Sequence, residues 1–339
     1  MSQIARVAGV SRTTVSYVLN DVSGVNISPA TRERVWEVAR ELNYQPDTVA
    51  QSLASGQVGA VALVLTQRPH LISEAFLSSV VSGLAAAVKP DGFHVLIEPL
   101  NPSHQEAAYG NLVRSRRADG IILVGPRPND EEMERITADG IPLVLIGKVQ
   151  SRAVPYVDVD NVEGARLAVE HLLQLDHRRI ACVTNAPLIH PASQDRLDGY
   201  RRALEAAGVT YDPALVRYGA FTDESGAQAM EDLLRTLDDP PTAVFVASDL
   251  VALGVLSVLE AAGLSVPEDV ALVGFDDIPL ARFISPPLTT VRLPAYDLGY
   301  EAGEMMIHRL QQRLPGGEWQ KLLNTELIVR RSCGGTETI

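Results

Sequence analysis

The stretch Ala8-Gly9-Val10-Ser11-Arg12-Thr13-Thr14-Val15-Ser16-Tyr17-Val18-Leu19-Asn20 decides how this chain is read. Ile4, Val7 and Ala8 lead into it at i, i+3, i+4, the spacing of one apolar stripe on a short helix. Gly9 can end that helix in a left-handed conformation that a Cβ would penalise. Ser11 then suits the N-cap of a second helix, whose inward stripe is Val15, Val18 and Leu19. Arg12, Thr13, Ser16 and Tyr17 are left facing outward from its first turns. Two short helices joined by a Gly-bearing turn, with polar side chains along the start of the second, describe a helix-turn-helix.

Working outward, Ser28-Pro29 offers a capping serine with proline at the first helical position, which starts a third helix. Val35, Val38, Ala39 and Leu42 give its buried face, and Asn43-Tyr44-Gln45-Pro46 closes it, because a residue before proline is pushed out of the α region. Residues 1–46 thus form a small all-α head. Residues 47–57 read as a short hinge with helical potential over Val49–Ala54.

From residue 58 the pattern changes. Strand-like apolar runs at Ala60–Leu65, Phe93–Ile97, Gly120–Val124, Leu143–Ile146, Ile180–Val183, Ala243–Val246 and Val270–Val273 alternate with amphipathic stretches such as Phe76–Val88, Gly164–Leu175, Gly199–Ala207 and Val251–Ala262. Turns such as Lys89-Pro90-Asp91-Gly92, Ala207-Gly208 and Ala262-Gly263 place glycine between helix end and strand, as βα repetition requires. The class is α/β, doubly wound, with right-handed crossovers. The length exceeds one comfortable sheet, so two parallel-sheet lobes are expected, at about 58–158 and 159–288.

The 339 residues are 46% apolar and 21% charged, ordinary for a globular chain. No run is long enough to cross a bilayer, and no export signal is recognisable, which leads us to expect a cytoplasmic protein without membrane partners. Cys182 and Cys333 form neither a disulfide framework nor a metal motif. Net charge is −13, the wrong sign for a nucleic-acid binder, but it is unevenly placed. Over residues 1–57, Arg6, Arg12, Arg32, Arg34 and Arg40 balance Asp21, Glu33, Glu37, Glu41 and Asp47. A neutral head can still hold phosphate through backbone N–H groups and helix N-termini. Phosphate-loop, dinucleotide and nucleophile-elbow patterns are missing, and the seven histidines are scattered, so neither catalysis, a cofactor nor a metal is expected. His177-Arg178-Arg179 suits the C-terminus of a helix.

The pattern A-G-V-S-x-x-T-V-S-x-V-L-N at Ala8–Asn20 resembles the DNA-reading signature of the LacI/GalR (lactose-repressor/galactose-repressor) family of bacterial transcription regulators. The resemblance continues through Asn43-Tyr44-Gln45-Pro46 and Ala50-Gln51-Ser52-Leu53, then through most of the remaining chain. It implies a homodimeric regulator, a repressor, that binds a palindromic operator in double-stranded DNA under control of a small-molecule effector, a sugar. Ser11, Arg12, Thr13, Ser16, Tyr17 and Asn20 would serve the major groove, while Ala50 and Leu53 would serve the minor groove, Leu53 as an apolar wedge. The body would be periplasmic-binding-protein-like, its chain crossing between lobes three times. It would return to the first lobe through a helix near 294–314, then to the second through a strand near 322–330, leaving 331–339 as a tail.

In open α/β sheets ligands sit beyond the carboxyl ends of strands. The resemblance puts effector-binding residues there: Arg196 in an R-x-x-G-[YFW] motif, Asp276 in Val273-Gly274-Phe275-Asp276-Asp277, Ser248, and the aromatics Phe221 and Phe76; Lys148, after Gly147 at a strand end, is expected to reach the same cleft. Adjacent hydroxyls on a polyol suit the planar forks of Arg and Asp, and its C–H face suits an aromatic wall. Duller roles exist for each. Ser248 or Asp249 could simply cap the next helix, Arg196 could form a surface ion pair, and Phe76 and Phe221 could be core. By the same analogy Asp277 is structural rather than Asp276. Tyr17 and Gln57 stand where relatives often carry basic residues, which keeps open a sugar-binding receptor that no longer reads DNA.

Overall fold

The computed structural model describes residues 1–19, 24–44, 57–65, 75–100, 109–128, 130–149, 154–312 and 320–335. It divides into two compact units, Met1–Gly59 and Ala60–Ile339.

The first unit packs α1 (Ser2–Ala8), α2 (Arg12–Leu19) and α3 (Pro29–Glu41) around one small core. Gly9 has φ 71°, and the N–H groups of Gly9 and Val10 both return to the Ala5 carbonyl, closing α1 in the left-handed cap. The Ser11 hydroxyl accepts the Thr14 N–H at 3.0 Å, and Ser28 accepts the Thr31 N–H at 3.2 Å, so both expected caps are in place. Val15, Val18 and Leu19 are buried against Val35, Val38 and Ala39. Two expected core positions are not. Val7 is 45% exposed because α1 turns Ile4, Ala5 and Ala8 inward instead, and Leu42 lies just past the end of α3, where the stripe has already left the core.

The second unit carries two sheets of six strands each. In chain order the strands are β1 (Ala60–Leu65), β2 (His94–Pro99), β3 (Gly120–Val124), β4 (Leu143–Ile146), β5 (Tyr156–Val159), β6 (Ile180–Thr184), β7 (Val216–Tyr218), β8 (Ala243–Val246), β9 (Ala271–Asp276), β10 (Thr289–Arg292), β11 (Gln320–Leu323) and β12 (Glu326–Ile328). The first sheet runs β11-β5-β4-β3-β1-β2, and every neighbouring pair in it is parallel. The second runs β12-β10-β9-β8-β6-β7, parallel except for the antiparallel edge strand β12.

Helices cover both faces of each sheet, which is why the central strands are apolar throughout. Around the first sheet lie α4 (Ala75–Val88), α5 (Asn111–Arg114), α6 (Glu131–Ala138) and the late helix α11 (Ala295–Leu310). Around the second lie α7 (Asn161–Gln174), α8 (Pro191–Ala206), α9 (Asp223–Thr236) and α10 (Asp249–Ala261). Arg178 donates to the Leu173 carbonyl at 2.7 Å, closing the end of α7 as its sequence suggested.

The sheets redraw the expected lobe boundaries. The chain passes between them after β5, after β10 and between β11 and β12. The second lobe therefore reaches Arg292 rather than stopping at 288. The single strand expected near 322–330 is two strands: β11 pairs with β5 of the first sheet, and only β12 joins the second. Both are half-exposed edge strands with little apolar pattern, so periodicity could not separate them.

Candidate functional site

A cavity between the two lobes is walled by strand carboxyl ends from both sheets, the place where open α/β sheets hold ligands. The first lobe brings an apolar wall of Leu65, Phe76, Leu77, Val124 and Ile146, with Lys148 and Asp158 at strand ends. The second brings Asn161, Asn185, His190, Arg196, Phe221, Ser248 and Asp276. All six effector residues named from the sequence line this one cavity, although they span Phe76 to Asp276 in the chain.

Arg196 sits at its centre, 6% exposed, so the surface ion-pair role does not apply. Its Nε donates to Asn161 Oδ1 at 2.9 Å and its Nη1 to the Ala247 carbonyl at 2.6 Å. The guanidinium stacks on the Phe275 ring, 3.7 Å from its centroid, and lies 3.6 Å from Asp276 Oδ1. Burial pulls the guanidinium pKa down, opposed by Asp276, Asp158 and other carboxylates around it. A fork held on this many sides is preorganised, which lowers the entropic cost of gripping a ligand.

The two aspartates at the end of β9 face different surroundings. Asp276 lines the cavity, its pKa raised by burial against the pull of Arg196 and of hydrogen bonds from Ser248 and the Asp249 backbone. Asp277 turns away and binds Arg330 at 2.6 Å and Arg292 at 2.8 Å. Their φ angles are 126° and 55°, a pair of left-handed conformations that non-glycine residues avoid. Such strain, on the order of 1–3 kcal/mol each, is held by surrounding bonds and clusters at functional sites.

Ser248 occupies the N-cap position of α10 but makes no capping bond with its side chain. Asp249 is structural: it accepts from Thr290 Oγ1 at 2.6 Å and from the Ile278 N–H at 2.9 Å. Burial, then repulsion from Asp276, holds its pKa well above the usual carboxylate range. Phe221, at φ 61°, is half-buried and meets His190 edge to face at 5.2 Å. Burial pulls the His190 pKa down to about 4, with Arg127 adding to the effect, so the imidazole is neutral near pH 7.

Four polar lining residues were not picked from the sequence: Asp158, Asn161, Asn185 and His190. Asp158 accepts the Lys148 N–H at 3.0 Å and the Val159 N–H at 2.8 Å, yet burial pushes its pKa up to about 6. A carboxylate at a strand end was the available signal, but β5 is short, follows Pro155 and reads Y-V-D-V, so it was not recognised as a strand.

In the first unit, Arg12, Thr13 and Tyr17 are exposed on α2 and Ser16 is half-buried. Ser11, named with them, spends its hydroxyl on the Thr14 N–H and lies against Thr14 Oγ1, which makes it a helix cap. Asn20, Ala50 and Leu53, with most of the hinge, lie outside the described residues. No described helix is long and apolar enough to cross a membrane, and no metal-holding cluster occurs among the described residues.

Comparison with known proteins bears on both units. The family model for bacterial regulatory proteins of the lacI family matches residues 1–47, and one for a periplasmic binding protein-like domain matches residues 169–333. The HTH-type transcriptional regulator CelR of Thermobifida fusca is 37% identical over 98% of this chain and 97% of its own length. The transcriptional repressor CytR of Escherichia coli is 35% identical over 98% and 95%. Among solved structures, a CelR–cellobiose complex superposes with a TM-score of 0.76 at 37% identity over 97% of this chain and 98% of that one. A lac repressor dimer bound to operator and the anti-inducer ONPF gives 0.84 at 29% identity, covering 97% of each. These relatives are regulators rather than enzymes, in keeping with the missing catalytic motifs. With its helix-turn-helix head and two α/β lobes, the chain belongs to the lacI family of bacterial regulatory proteins.

Proposed function

We propose that this protein is a cytoplasmic, homodimeric repressor whose grip on a palindromic operator is set by a sugar bound between its lobes. The observation that carries the reading is the convergence of Phe76, Lys148, Arg196, Phe221, Ser248 and Asp276 on one cavity. Its apolar wall, aromatic edges and opposed Arg and Asp forks match the two-sided chemistry of a polyol ring. The cellobiose bound to CelR, a relative at 37% identity, makes an oligosaccharide the first class to try.

DNA reading falls to Arg12, Thr13, Ser16 and Tyr17 along α2, with Ser11 holding the helix start. Asn20 extends that face, while Ala50 and Leu53 enter the minor groove from the hinge. Residues 1–46 act as the head and 47–57 as the hinge. The lobes are 58–159 with α11 and β11, and 160–292 with β12.

Selection of bound duplexes from a randomised pool, repeated with cellobiose and a panel of mono- and disaccharides, tests the whole reading. A palindromic consensus whose recovery changes with one sugar is the expected outcome. Failure to enrich any sequence at low salt, liganded or not, would refute it.

A further inference from the structure

Lys148 follows β4 on the first lobe, and Asp195 lies in α8 on the second. Their side chains meet across the cleft, Nζ to Oδ2, at 2.9 Å. Both are withdrawn from water, at 23% and 10% side-chain exposure, so this is not an ordinary surface pair. Burial works against the Lys148 charge, but Asp195, Asp158 and Asp160 together outweigh it and leave the ammonium pKa raised.

The pair also closes a ring. The Lys148 N–H binds Asp158 Oδ2, and Asp158 Oδ1 takes Asn161 Nδ2 at 3.2 Å. Asn161 Oδ1 takes Arg196 Nε, and Arg196 adjoins Asp195 in the chain. Three ligand-facing groups, Asp158, Asn161 and Arg196, are therefore tied to the contact that spans the lobes. Breaking that contact leaves Asp195 buried without its Lys148 partner, and it frees the β4 turn from α8.

We propose that the Lys148–Asp195 pair is an inter-lobe latch that holds the two lobes closed before any effector enters. Effector affinity is then scaled by the fraction of molecules with the latch made, because a ligand that binds the closed form pays for closure when the latch is absent. This last consequence rests on the cavity being the effector site. The latch itself does not.

Hydrogen exchange on the full chain, without sugar or DNA, separates the two. Asp195→Asn keeps the side-chain shape and removes only the charge. It should speed amide exchange about tenfold on both sides of the cleft, at 143–149 and at 185–197, as a latch worth a decade in the opening equilibrium requires. Lys148→Met should match it. Exchange in Asp195→Asn equal to wild type would overturn the latch, as would acceleration confined to α8. None of these outcomes depends on whether any sugar binds.

Discussion

Arg196 is the residue on which the cavity's electrostatics turn. It pairs with Asp276, orients Asn161 and holds the Ala247 carbonyl while itself buried. Removing one member of a buried charge pair costs about 3–5 kcal/mol, because the partner is stranded. Arg196→Ala should therefore lower the stability of residues 60–339 by that amount in chemical denaturation, as well as abolish sugar binding. Arg196→Lys should recover part of the stability but not the binding, since an ammonium cannot reproduce the fork. Binding retained in Arg196→Lys would show that the guanidinium plane is dispensable.

Two other residues make opposed pH predictions. Asp158 titrates near 6 in the fold against 3.8 unfolded, so the native state holds the extra proton between those values and stability falls as pH rises through the window. Its weight is on the order of 3 kcal/mol. His190 titrates near 4 against 6.5 unfolded, so there the unfolded state holds the extra proton and stability rises with pH. The two contributions oppose each other from about pH 4 to 6. Asp158→Asn should unmask a melting temperature that climbs across this range, and His190→Gln one that declines. Parallel pH profiles for both variants would contradict the assignment.

Among the elements, the close crossing of α4 and α11 carries more of the fold than its sequence announces. A Cβ on Gly299 would run into the Val80 carbonyl, and one on Gly83 into the Tyr296 carbonyl, so the helices touch backbone to backbone. Gly299→Ala must push them apart, at a cost of about 1–3 kcal/mol or more by analogy with overpacked cores. The loss should be read in thermal unfolding of the body, with the head's amide exchange unchanged. The cap of α2 acts on the other unit: Ser11→Ala should weaken the head by about 1 kcal/mol. It should lower operator affinity for all sequences alike, whereas Arg12→Ala should cost about 1–3 kcal/mol and relax one base position. Competition binding with a duplex set varied one position at a time distinguishes them.

Elements with strong period or strong punctuation were legible in the sequence. Gly9, Ser11 and Ser28-Pro29 mark helix ends through local chemistry, and the central strands are continuous apolar runs because both their faces are covered. Short strands such as interior β5 and edge strands β7 and β11 lack that pattern, and their pairing is decided by distant partners. The same reason explains the site. Arg196, Ser248 and Asp276 could be found through family motifs. Asn161, Asn185 and His190 become cavity-lining only once the lobes meet, a relation no local window contains.

At the scale of the whole molecule, function depends on coupling between two compact units, Met1–Gly59 and Ala60–Ile339. A sugar alters operator affinity only to the extent that it distinguishes the DNA-competent conformation from the other, however tightly it binds. Linkage makes the effect mutual: if sugar changes operator affinity by a factor α, operator must change sugar affinity by the same α. For couplings of about 1–3 kcal/mol that factor is about 5–150, well within reach of titration calorimetry. If the proposed sugar control holds, calorimetry of the protein with a sugar that binds it, in the absence and presence of saturating operator, should give a ratio equal to that from operator titrations with and without sugar. Arg12→Ala should shift both operator affinities together and leave the ratio intact, as the proposed role of Arg12 on DNA, remote from the conformational equilibrium, requires. A sugar affinity identical with and without operator would mean that the cavity and the head are thermodynamically independent.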